Sequence, residues 1–284
     1  MLATTACCRS DPNSRMLSRP AILLAACALA LAACASPSET AGRIAGRAGL
    51  ERAEIATGTF RLTSYRRLND ASAPVVVYIE GDGLAWKSRS EPSRDPTPRE
   101  AVGLRLAAED PSANVVYLAR PCQFTKGDRA CTLAYWTSHR FAPEVIDSLS
   151  EAIDRTVQGR PVHLVGYSGG GAIAALLAER RSDVLSLRTV AGNLDHEALN
   201  RYHGVSSMPQ SLNAMSGAAA LRGLAQVHYV GDADKIVPAF IANDFVAAQG
   251  GNTCASVVIV PGASHDSGWS SFWAHHAVPP PTCR

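Results

Sequence analysis

The sequence predicts an α/β protein in which helices flank a mainly parallel sheet. Short apolar runs rich in β-branched residues recur along the chain, and such runs are typical of strands buried on both faces. Stretches with helical spacing stand between several of these runs, and strands that alternate with helices favour parallel pairing. With 284 residues, of which 46% are hydrophobic and 18% charged, the chain is long enough to form one domain with a large core.

Charge and motif content argue against several classes of partner. The net charge of +2 gives no support for a nucleic-acid partner. The sequence holds no heptads, no internal repeats and no Cys/His spacing typical of a metal site. We therefore expect neither a metal, nor a cofactor, nor a nucleic-acid partner.

The first segment has the features of a targeting signal. Residues 16–19 supply a positive charge, and the apolar run 21–31 is too short to span a bilayer. The run is followed by Ala32-Ala33-Cys34, and with Leu31 this resembles the lipobox of bacterial lipoproteins. The resemblance implies cleavage before Cys34 and acylation of that cysteine, with residues 1–33 as the signal peptide.

Three details refine this interpretation. Translation is expected to start at Met16. A second copy of the motif ends at Cys27 but would leave a shorter apolar run, so Cys34 is the better candidate; a plain secretory signal is the alternative. In such lipoproteins the non-acidic Ala35 implies the outer membrane, facing the periplasm. Residues 34–54 are small, polar and charged, and we expect them to form a tether from the lipid anchor.

Cysteine usage agrees with export. Four cysteines remain downstream of Cys34, and an even number in an exported chain predicts disulfides with three possible connectivities. Cys122 and Cys131 bracket a short polar loop, which favours their local pairing and would leave Cys254 to pair with Cys283. Free buried thiols are the alternative.

The other elements follow from the apolar pattern in chain order. Alternation in residues 57–63 predicts an edge strand of an antiparallel start. The later strands carry continuous apolar runs, whereas the helices carry apolar residues three and four apart. We predict strands at 75–79, 114–118, 162–165, 186–190, 226–230 and 255–260, and helices at 96–108, 143–157 and 172–180.

The segment Gly166-Tyr-Ser168-Gly-Gly170 lies between a predicted strand and a predicted helix. It fits the G-x-S-x-G pattern, in which a serine occupies a strained strand-to-helix turn and glycines let two backbone segments pass closely. The first amides of the helix and its dipole would point at the serine oxygen, where negative charge develops. A glycine-rich turn with an incidental serine is the alternative.

At this segment the chain resembles the α/β-hydrolase fold family, and the resemblance extends over residues 55–276, within a domain expected at 55–284. The family order of nucleophile, acid and base implies Ser168, Asp234 and His265, each at the carboxyl end of a predicted strand. A serine hydroxyl becomes a good nucleophile when a base takes its proton. Imidazole is that base, and a buried carboxylate fixes its tautomer.

Three aspartates compete for the role of the acid. Asp234 stands three residues after Gly231 and just before Ile236-Val-Pro238, which resembles the family's acid loop. We expect the apolar pair in that loop to bury against the sheet while Asp234 faces the histidine. Asp232 is expected to cap the turn, and Asp195 to cap a short helix.

The family's second oxyanion-hole amide follows a central strand, typically in a His-Gly motif. That place is taken here by Glu80-Gly-Asp-Gly83, with glutamate instead of histidine. The resemblance implies that the backbone amides of Asp82 or Gly83, together with Gly169, form the oxyanion hole; a plain tight turn is the alternative. We expect the Asp82 side chain to turn away into local hydrogen bonds, because a carboxylate is unfavourable beside a developing oxyanion.

The resemblance implies a monomeric, lipid-anchored serine hydrolase that cleaves an ester or related acyl bond in a small-molecule or lipid-like substrate. Residues 193–224, where the family inserts lids, hold no long apolar helix, so we expect at most a small lid. Tyr135, Trp136 and Arg140 are candidates for a pocket mouth or for loop packing. The alternatives are a non-catalytic envelope lipoprotein that uses the same fold for binding, and a peptidase or depolymerase.

Overall fold

An eight-stranded sheet forms the centre of the structure, a computed structural model described over residues 35–125, 127–251, 254–276 and 279–283. Its strands are β1 (Glu51–Ala56), β2 (Arg61–Leu68), β3 (Val75–Ile79), β4 (Asn114–Leu118), β5 (Val162–Tyr167), β6 (Val184–Val190), β7 (Ala225–Gly231) and β8 (Ala255–Val260). They lie in the order β1-β2-β4-β3-β5-β6-β7-β8. The pairs β1–β2 and β2–β4 are antiparallel, and the other five pairs are parallel. The predicted mainly parallel sheet is therefore confirmed.

Seven α-helices lie in the described part of the chain. They are α1 (Pro37–Arg47), α2 (Val102–Glu109), α3 (Pro143–Val157), α4 (Gly169–Ala178), α5 (His196–His203), α6 (Phe240–Ala248) and α7 (Trp269–His276). Two 3-10 segments, Leu133–Trp136 and Ala214–Leu221, complete the regular structure. None of the helices within the described ranges is long and apolar enough to cross a membrane.

The helices cover both faces of the sheet, and β3 shows how the sequence divides the core between them. Val75, Val77 and Ile79 pack in the core that contains α3, α4 and α6. Val76 and Tyr78 pack in the opposite core, with α1, α2 and α7. Successive side chains of a strand point to opposite faces, so a strand covered on both sides must be apolar throughout.

The segment expected to be a tether is folded instead. Helix α1 buries Ala41 and Ala45, and β1 forms the edge of the sheet by pairing with β2. These small residues let α1 pack closely. Because they contribute little hydrophobicity, the sequence pattern did not predict the helix. The strand expected at 57–63 is also corrected: β2 begins at Arg61 and lies second from the edge.

Two further expectations concern the chain before α2 and the N-terminus. The helix predicted at 96–108 begins only at Val102: Pro98 disfavours the helical conformation of Thr97, and residues 99 and 100 form a bend before the helix. The signal peptide at 1–33 and the lipidation site Cys34 lie outside the described residues. Residues 37–284 form one compact unit, and only residues 35 and 36 of the preceding unit are described.

The cysteines form the two predicted pairs, the first across its short polar loop and the second across a longer segment. Cys122 pairs with Cys131, with Cα atoms 5.5 Å apart, and Cys254 pairs with Cys283, with Cα atoms 4.7 Å apart. The segment between β6 and β7 holds only α5 and the short 3-10 segment Ala214–Leu221. The segment between β6 and β7 is therefore at most a small lid.

Candidate active site

Ser168 occupies the turn between β5 and α4 in a strained conformation. Its φ of 50° and ψ of −120° lie where non-glycine residues are uncommon. A Cβ added at Gly166 would overlap the carbonyl of Gly170, and a Cβ added at Gly170 would overlap the carbonyls of Ile79 and Glu80, so neither position has room for a side chain. The sequence pattern predicted this turn, and the structure shows why it demands glycine.

The structure brings Ser168, His265 and Asp234 together. The Ser168 Oγ lies 3.0 Å from His265 Nε2, and His265 Nδ1 lies 2.9 Å from Asp234 Oδ2. Because a carboxylate only accepts, Nδ1 carries the proton in this arrangement and Nε2 is left to accept from the serine hydroxyl. The three side chains therefore form one directed chain of hydrogen bonds.

Asp234 is fixed by its own loop. Its side chain is fully buried, and its Oδ1 accepts hydrogen bonds from the amides of Ile236 and Val237, at 2.8 and 2.9 Å. Burial opposes ionisation, but the hydrogen bond and charge of His265, together with these amides, hold the pKa of Asp234 below its usual value. Of the expected apolar pair, Val237 is buried whereas Ile236 is 52% exposed.

The two rival aspartates have other contacts. Asp195 caps α5 by accepting the amides of Glu197 and Ala198. Asp232 accepts the amide of Gly262, across to the loop after β8. Among the described residues, only Asp234 of these three carboxylates contacts His265.

The loop after β3 lies on the other side of Ser168. A Cβ at Gly81 would meet the Ser168 Cβ and the Tyr167 ring, which shows how closely this loop passes the serine. Gly83 has a φ of +65°, and a Cβ there would overlap the Pro96 carbonyl. Throughout the described part of the chain, the amides of Asp82, Gly83 and Gly169 donate to no acceptor. These three amides are therefore free to bind a ligand oxygen.

Glu80, which stands where the family has histidine, points into the core. Its carboxylate accepts the amides of Gly81, Gly103 and Leu104 and the hydroxyl of Tyr117, at 2.9 to 3.3 Å. Gly103 and Leu104 lie in the first turn of α2, where amides lack helical partners. Burial raises the pKa of Glu80 even though these hydrogen bonds oppose the shift. Glu80 therefore ties the loop to α2.

The Asp82 side chain does not turn away, and the expectation of local hydrogen bonds is wrong. Its Oδ1 pairs with Arg120 Nη1 at 2.9 Å, and its Oδ2 pairs with Arg140 Nη1 at 2.6 Å. A Cβ at Gly169 would overlap Asp82 Oδ1, so the carboxylate lies against the first residue of α4. Burial opposes its ionisation, but the charges and hydrogen bonds of Arg140 and Arg120 outweigh that and lower the pKa of Asp82.

Two residues that had no predicted role, Arg120 and Gln123, support this loop. Arg120 also donates to the Arg140 carbonyl, which joins the two arginine-bearing segments. Gln123 donates to the Gly81 carbonyl at 2.9 Å and accepts the Arg120 amide. The local sequence gave no signal for the bonds to Arg140 and Gly81, because they join residues 20 and 42 positions apart in the chain.

A cavity of about 730 Å³ opens above Ser168. Its apolar lining includes Leu199, Val205, Met208, Ile236 and Val237, and its polar or charged lining includes Asp82, Arg89, Arg140, Asn193 and His203. Of the three candidates for the pocket mouth, Arg140 lines the cavity. Trp136 is buried and donates to the Ser93 carbonyl, and Tyr135 donates to Glu144. Within the described ranges, no group of three or more His, Cys, Asp or Glu residues is placed to hold a metal ion.

Comparison with known proteins gives structural matches only. No protein-family model and no curated protein sequence matches the chain. Among solved structures, a candidate lipase from Acinetobacter baumannii matches with a TM-score of 0.60 at 16% identity, covering 85% of this chain and 94% of that one. A membrane phospholipase A, described as a bacterial virulence factor, matches with a TM-score of 0.54 at 17% identity, covering 91% and 97%.

A third match is an esterase domain from a Rhodothermus marinus protein. Its TM-score is 0.55 at 15% identity, and the alignment covers 80% of this chain and 94% of that one. At such identities the likeness concerns the fold. The strand order, the position of Ser168 between β5 and α4, and these matches together show that the chain has the α/β-hydrolase fold.

Proposed function

We propose that the protein is a serine hydrolase that cleaves an ester or a related acyl bond through an acyl-enzyme. The observation that carries this proposal is the chain of hydrogen bonds from Ser168 through His265 to Asp234 at the floor of a cavity. In the first step, His265 Nε2 takes the hydroxyl proton while Ser168 Oγ attacks the carbonyl carbon. His265 then passes that proton to the leaving alkoxide.

Water completes the reaction. His265 takes a proton from a water molecule, the resulting hydroxide attacks the acyl carbon, and Ser168 leaves with the proton returned to its Oγ. Asp234 holds the imidazole in the required tautomer and stabilises its charged form. Each half-reaction passes through a tetrahedral oxyanion.

The oxyanion would bind the free amides of Gly169 and of Asp82 or Gly83, at the N-terminus of α4. The Asp82 carboxylate beside them would disfavour negative charge if it stood alone. It is paired with both Arg120 and Arg140, so this cluster of three side chains has a net positive charge. That compensation supports the assignment of the amides.

The substrate class and location belong to the same proposal. The chain resembles structures that include a membrane phospholipase A and an esterase domain, which supports an acyl or lipid-like substrate.

We propose that the protein acts as a monomer, anchored through an acylated Cys34 to the outer membrane and facing the periplasm. Two disulfides support an exported chain. Mass spectrometry of the processed N-terminus should show an acylated cysteine at position 34, and an unmodified N-terminus would refute the anchor.

The enzymatic proposal is tested by labelling and by turnover. A fluorophosphonate probe should label the wild-type protein and leave Ser168→Ala unlabelled. Acyl esters of increasing chain length should be hydrolysed by the wild type, with Ser168→Ala as the blank. Equal labelling of both proteins, or equal hydrolysis by both, would exclude Ser168 as the nucleophile.

A further inference from the structure

The charges around the cavity are unbalanced. Arg89 and Arg140 line it, and Asp82 is the one carboxylate among the described lining residues. Asp82 is already paired with Arg140 and with the buried Arg120 behind it. The three guanidinium groups therefore exceed Asp82 together with the ionised Asp234 on the other side of Ser168. The side of the cavity that holds Arg140 and Arg89 is consequently positive, and it favours a ligand with negative charge.

Arg140 retains hydrogen-bonding capacity that faces the cavity. Its Nε donates to the Thr137 carbonyl at 3.1 Å, and its Nη1 donates to Asp82 at 2.6 Å. Its Nη2 donates to no acceptor in the described part of the chain, and its side chain is 18% exposed. Two bonds thus hold the guanidinium in place while one terminal nitrogen remains for a ligand. A fixed guanidinium of this kind suits the oxygens of a carboxylate or phosphate.

Asn193 provides a second, independent sign of a polar ligand. It lines the same cavity, it is only 6% exposed, and its buried Oδ1 has no hydrogen-bond partner. Its backbone amide donates to the Ser168 carbonyl, so it adjoins the serine turn. A buried side-chain oxygen without a partner costs stability, and that cost is removed by a ligand that donates to it or, after the amide turns over, by one that accepts from it. Its amide nitrogen and oxygen can exchange places by rotation about χ2, so it can donate to a ligand oxygen.

Arg89 extends the positive region toward the rim. It is exposed, its only contact among the described residues is a long hydrogen bond of 3.4 Å to the His203 carbonyl, and it pairs with no carboxylate there. The apolar residues Val205 and Ile236 lie in the same lining and are exposed as well. The cavity therefore offers an apolar surface and a positive one side by side.

We propose that this cavity selects acyl esters that also carry an anionic oxygen group, a carboxylate or a phosphate, and that Arg140 is the specificity-determining residue. This inference rests on the proposed hydrolase function. The ester carbonyl lies at Ser168, the anionic group binds Arg140 and Asn193, and Arg89 attracts it at the rim. The apolar part of the substrate lies against the apolar lining.

Two substrate pairs test the inference and separate the two sources of charge. The carboxylate pair is mono-p-nitrophenyl succinate against p-nitrophenyl butyrate, which share a leaving group and similar acyl length. The phosphate pair is dibutyrylglycerol phosphate against tributyrylglycerol. For at least one pair we expect the wild-type kcat/KM to favour the anionic ester roughly tenfold or more, the scale of a hydrogen bond to a charged group. The preference should weaken as salt is added.

The variants assign the preference to residues. In Arg140→Gln the ratio of anionic to neutral kcat/KM should fall to about one, whereas Arg140→Lys should keep part of it. Arg89→Gln, which breaks no ion pair among the described residues, should lower the ratio less and reduce its salt dependence. The matched control is Arg180→Gln, an exposed arginine paired with Asp147, and its ratio should equal that of the wild type. A ratio near one in the wild type, or a ratio unchanged in Arg140→Gln, would overturn the inference.

A binding measurement keeps the inference separate from the hydrolase proposal. The melting temperature of Ser168→Ala should rise with monobutyl succinate or dibutyrylglycerol phosphate more than with butyl butyrate. The difference should vanish in Ser168→Ala/Arg140→Gln. Equal shifts for anionic and neutral esters would refute the anionic site, whatever the activity. If the site discriminates but neither turnover nor fluorophosphonate labelling occurs, the hydrolase proposal fails while the binding inference stands.

Discussion

Two carboxylates flank Ser168, and they are held in different ways. Asp234 lies on the histidine side, and its amide donors are the residues two and three positions further along the chain. Asp82 lies on the opposite side, which we call the oxyanion side because its loop carries the amides proposed to bind the oxyanion. Its arginine partners are 38 and 58 residues away. Both have a pKa below the usual aspartate value, one through a histidine and backbone amides and the other through two guanidinium groups. Both carboxylates are therefore held ionised, Asp234 in part by amides of its own loop and Asp82 only by side chains from other elements.

This difference predicts which substitutions affect turnover and which affect stability. On the histidine side, the structure places a hydrogen-bonded chain that needs only three loops at the ends of parallel strands. On the oxyanion side, the loop after β3 is joined to β4 and to the segment before α3 through Arg120 and Arg140. We therefore expect changes on the first side to remove turnover without unfolding, and changes on the second side to lower stability.

The largest expected effect is on turnover. Asp234→Asn should reduce kcat on the order of 10⁴-fold with the fold intact, because asparagine favours the wrong histidine tautomer. Turnover and melting temperature of Asp234→Asn, Asp232→Asn and Asp195→Asn should be measured side by side. Asp232 and Asp195 contact backbone amides elsewhere, so their variants should retain activity. Loss of turnover in Asp195→Asn, with turnover retained in Asp234→Asn, would refute the assignment of Asp234 as the acid.

The second effect is on stability. Asp82→Asn should lower the free energy of unfolding by about 3–5 kcal/mol at neutral pH, because it leaves two largely buried guanidinium groups without their charge partner. Denaturant unfolding of the wild type and of Glu100→Gln, which breaks only an exposed pair with Arg105, provides the comparison. If Asp82→Asn is as stable as Glu100→Gln, the ion pairs do not hold this loop.

The positions of Ser168, Asp234 and His265 could be predicted from the sequence because each is marked by a short local pattern. The pattern around Ser168 and the spacing from Gly231 to Asp234 are each set by one tight turn, and a turn is encoded by adjacent residues. The central strands were predicted for the same reason, since a continuous apolar run leaves few alternatives. The His265 position followed from the end of β8.

The oxyanion side could not be predicted from the same kind of signal. The negative charge of Asp82 predicted that its side chain points away from the oxyanion. The pairing with Arg120 and Arg140, which come from other elements, compensates that charge. Helix α1 was missed in a similar way, because the small residues Ala41 and Ala45 carry little apolar signal yet pack closely in the fold. In both cases contacts between distant parts of the chain determine the structure, and a local sequence pattern does not contain them.

A third, smaller effect concerns the disulfide on the oxyanion side. The pair Cys122–Cys131 closes a loop over a separation of 9 residues and carries Gln123, which holds the Gly81 carbonyl. The double variant Cys122→Ala/Cys131→Ala should lose about 2.5 kcal/mol of unfolding free energy by the loop-entropy relation, and its kcat should fall as Gln123 loosens. Thermal unfolding with turnover under non-reducing conditions measures both. Unchanged kcat in a destabilised variant would mean that the loop stabilises the fold without positioning Gly81.

The smallest expected effect compares Glu80 with Asp82, two residues apart in one loop, through the pH dependence of stability. Burial raises the pKa of Glu80 above its usual value of 4.5, so its contribution is fully present below that pH and is lost as pH rises through the folded-state value. The lowered pKa of Asp82 has the opposite consequence: its contribution is present above the usual value of 3.8 and is lost as pH falls. Near pH 4 both side chains are neutral, so Glu80→Gln should be only moderately less stable than the wild type. The remaining loss arises because the glutamine NH2 group cannot accept from the backbone amides that bond both Glu80 oxygens. As pH rises the variant should become more stable relative to the wild type, whereas Asp82→Asn should become less stable relative to it. Chemical unfolding of the three proteins from pH 2 to pH 8 gives both slopes, that of Asp82→Asn below about pH 4 and that of Glu80→Gln above it. Slopes of the same sign would show that Glu80 remains ionised, as Asp82 does.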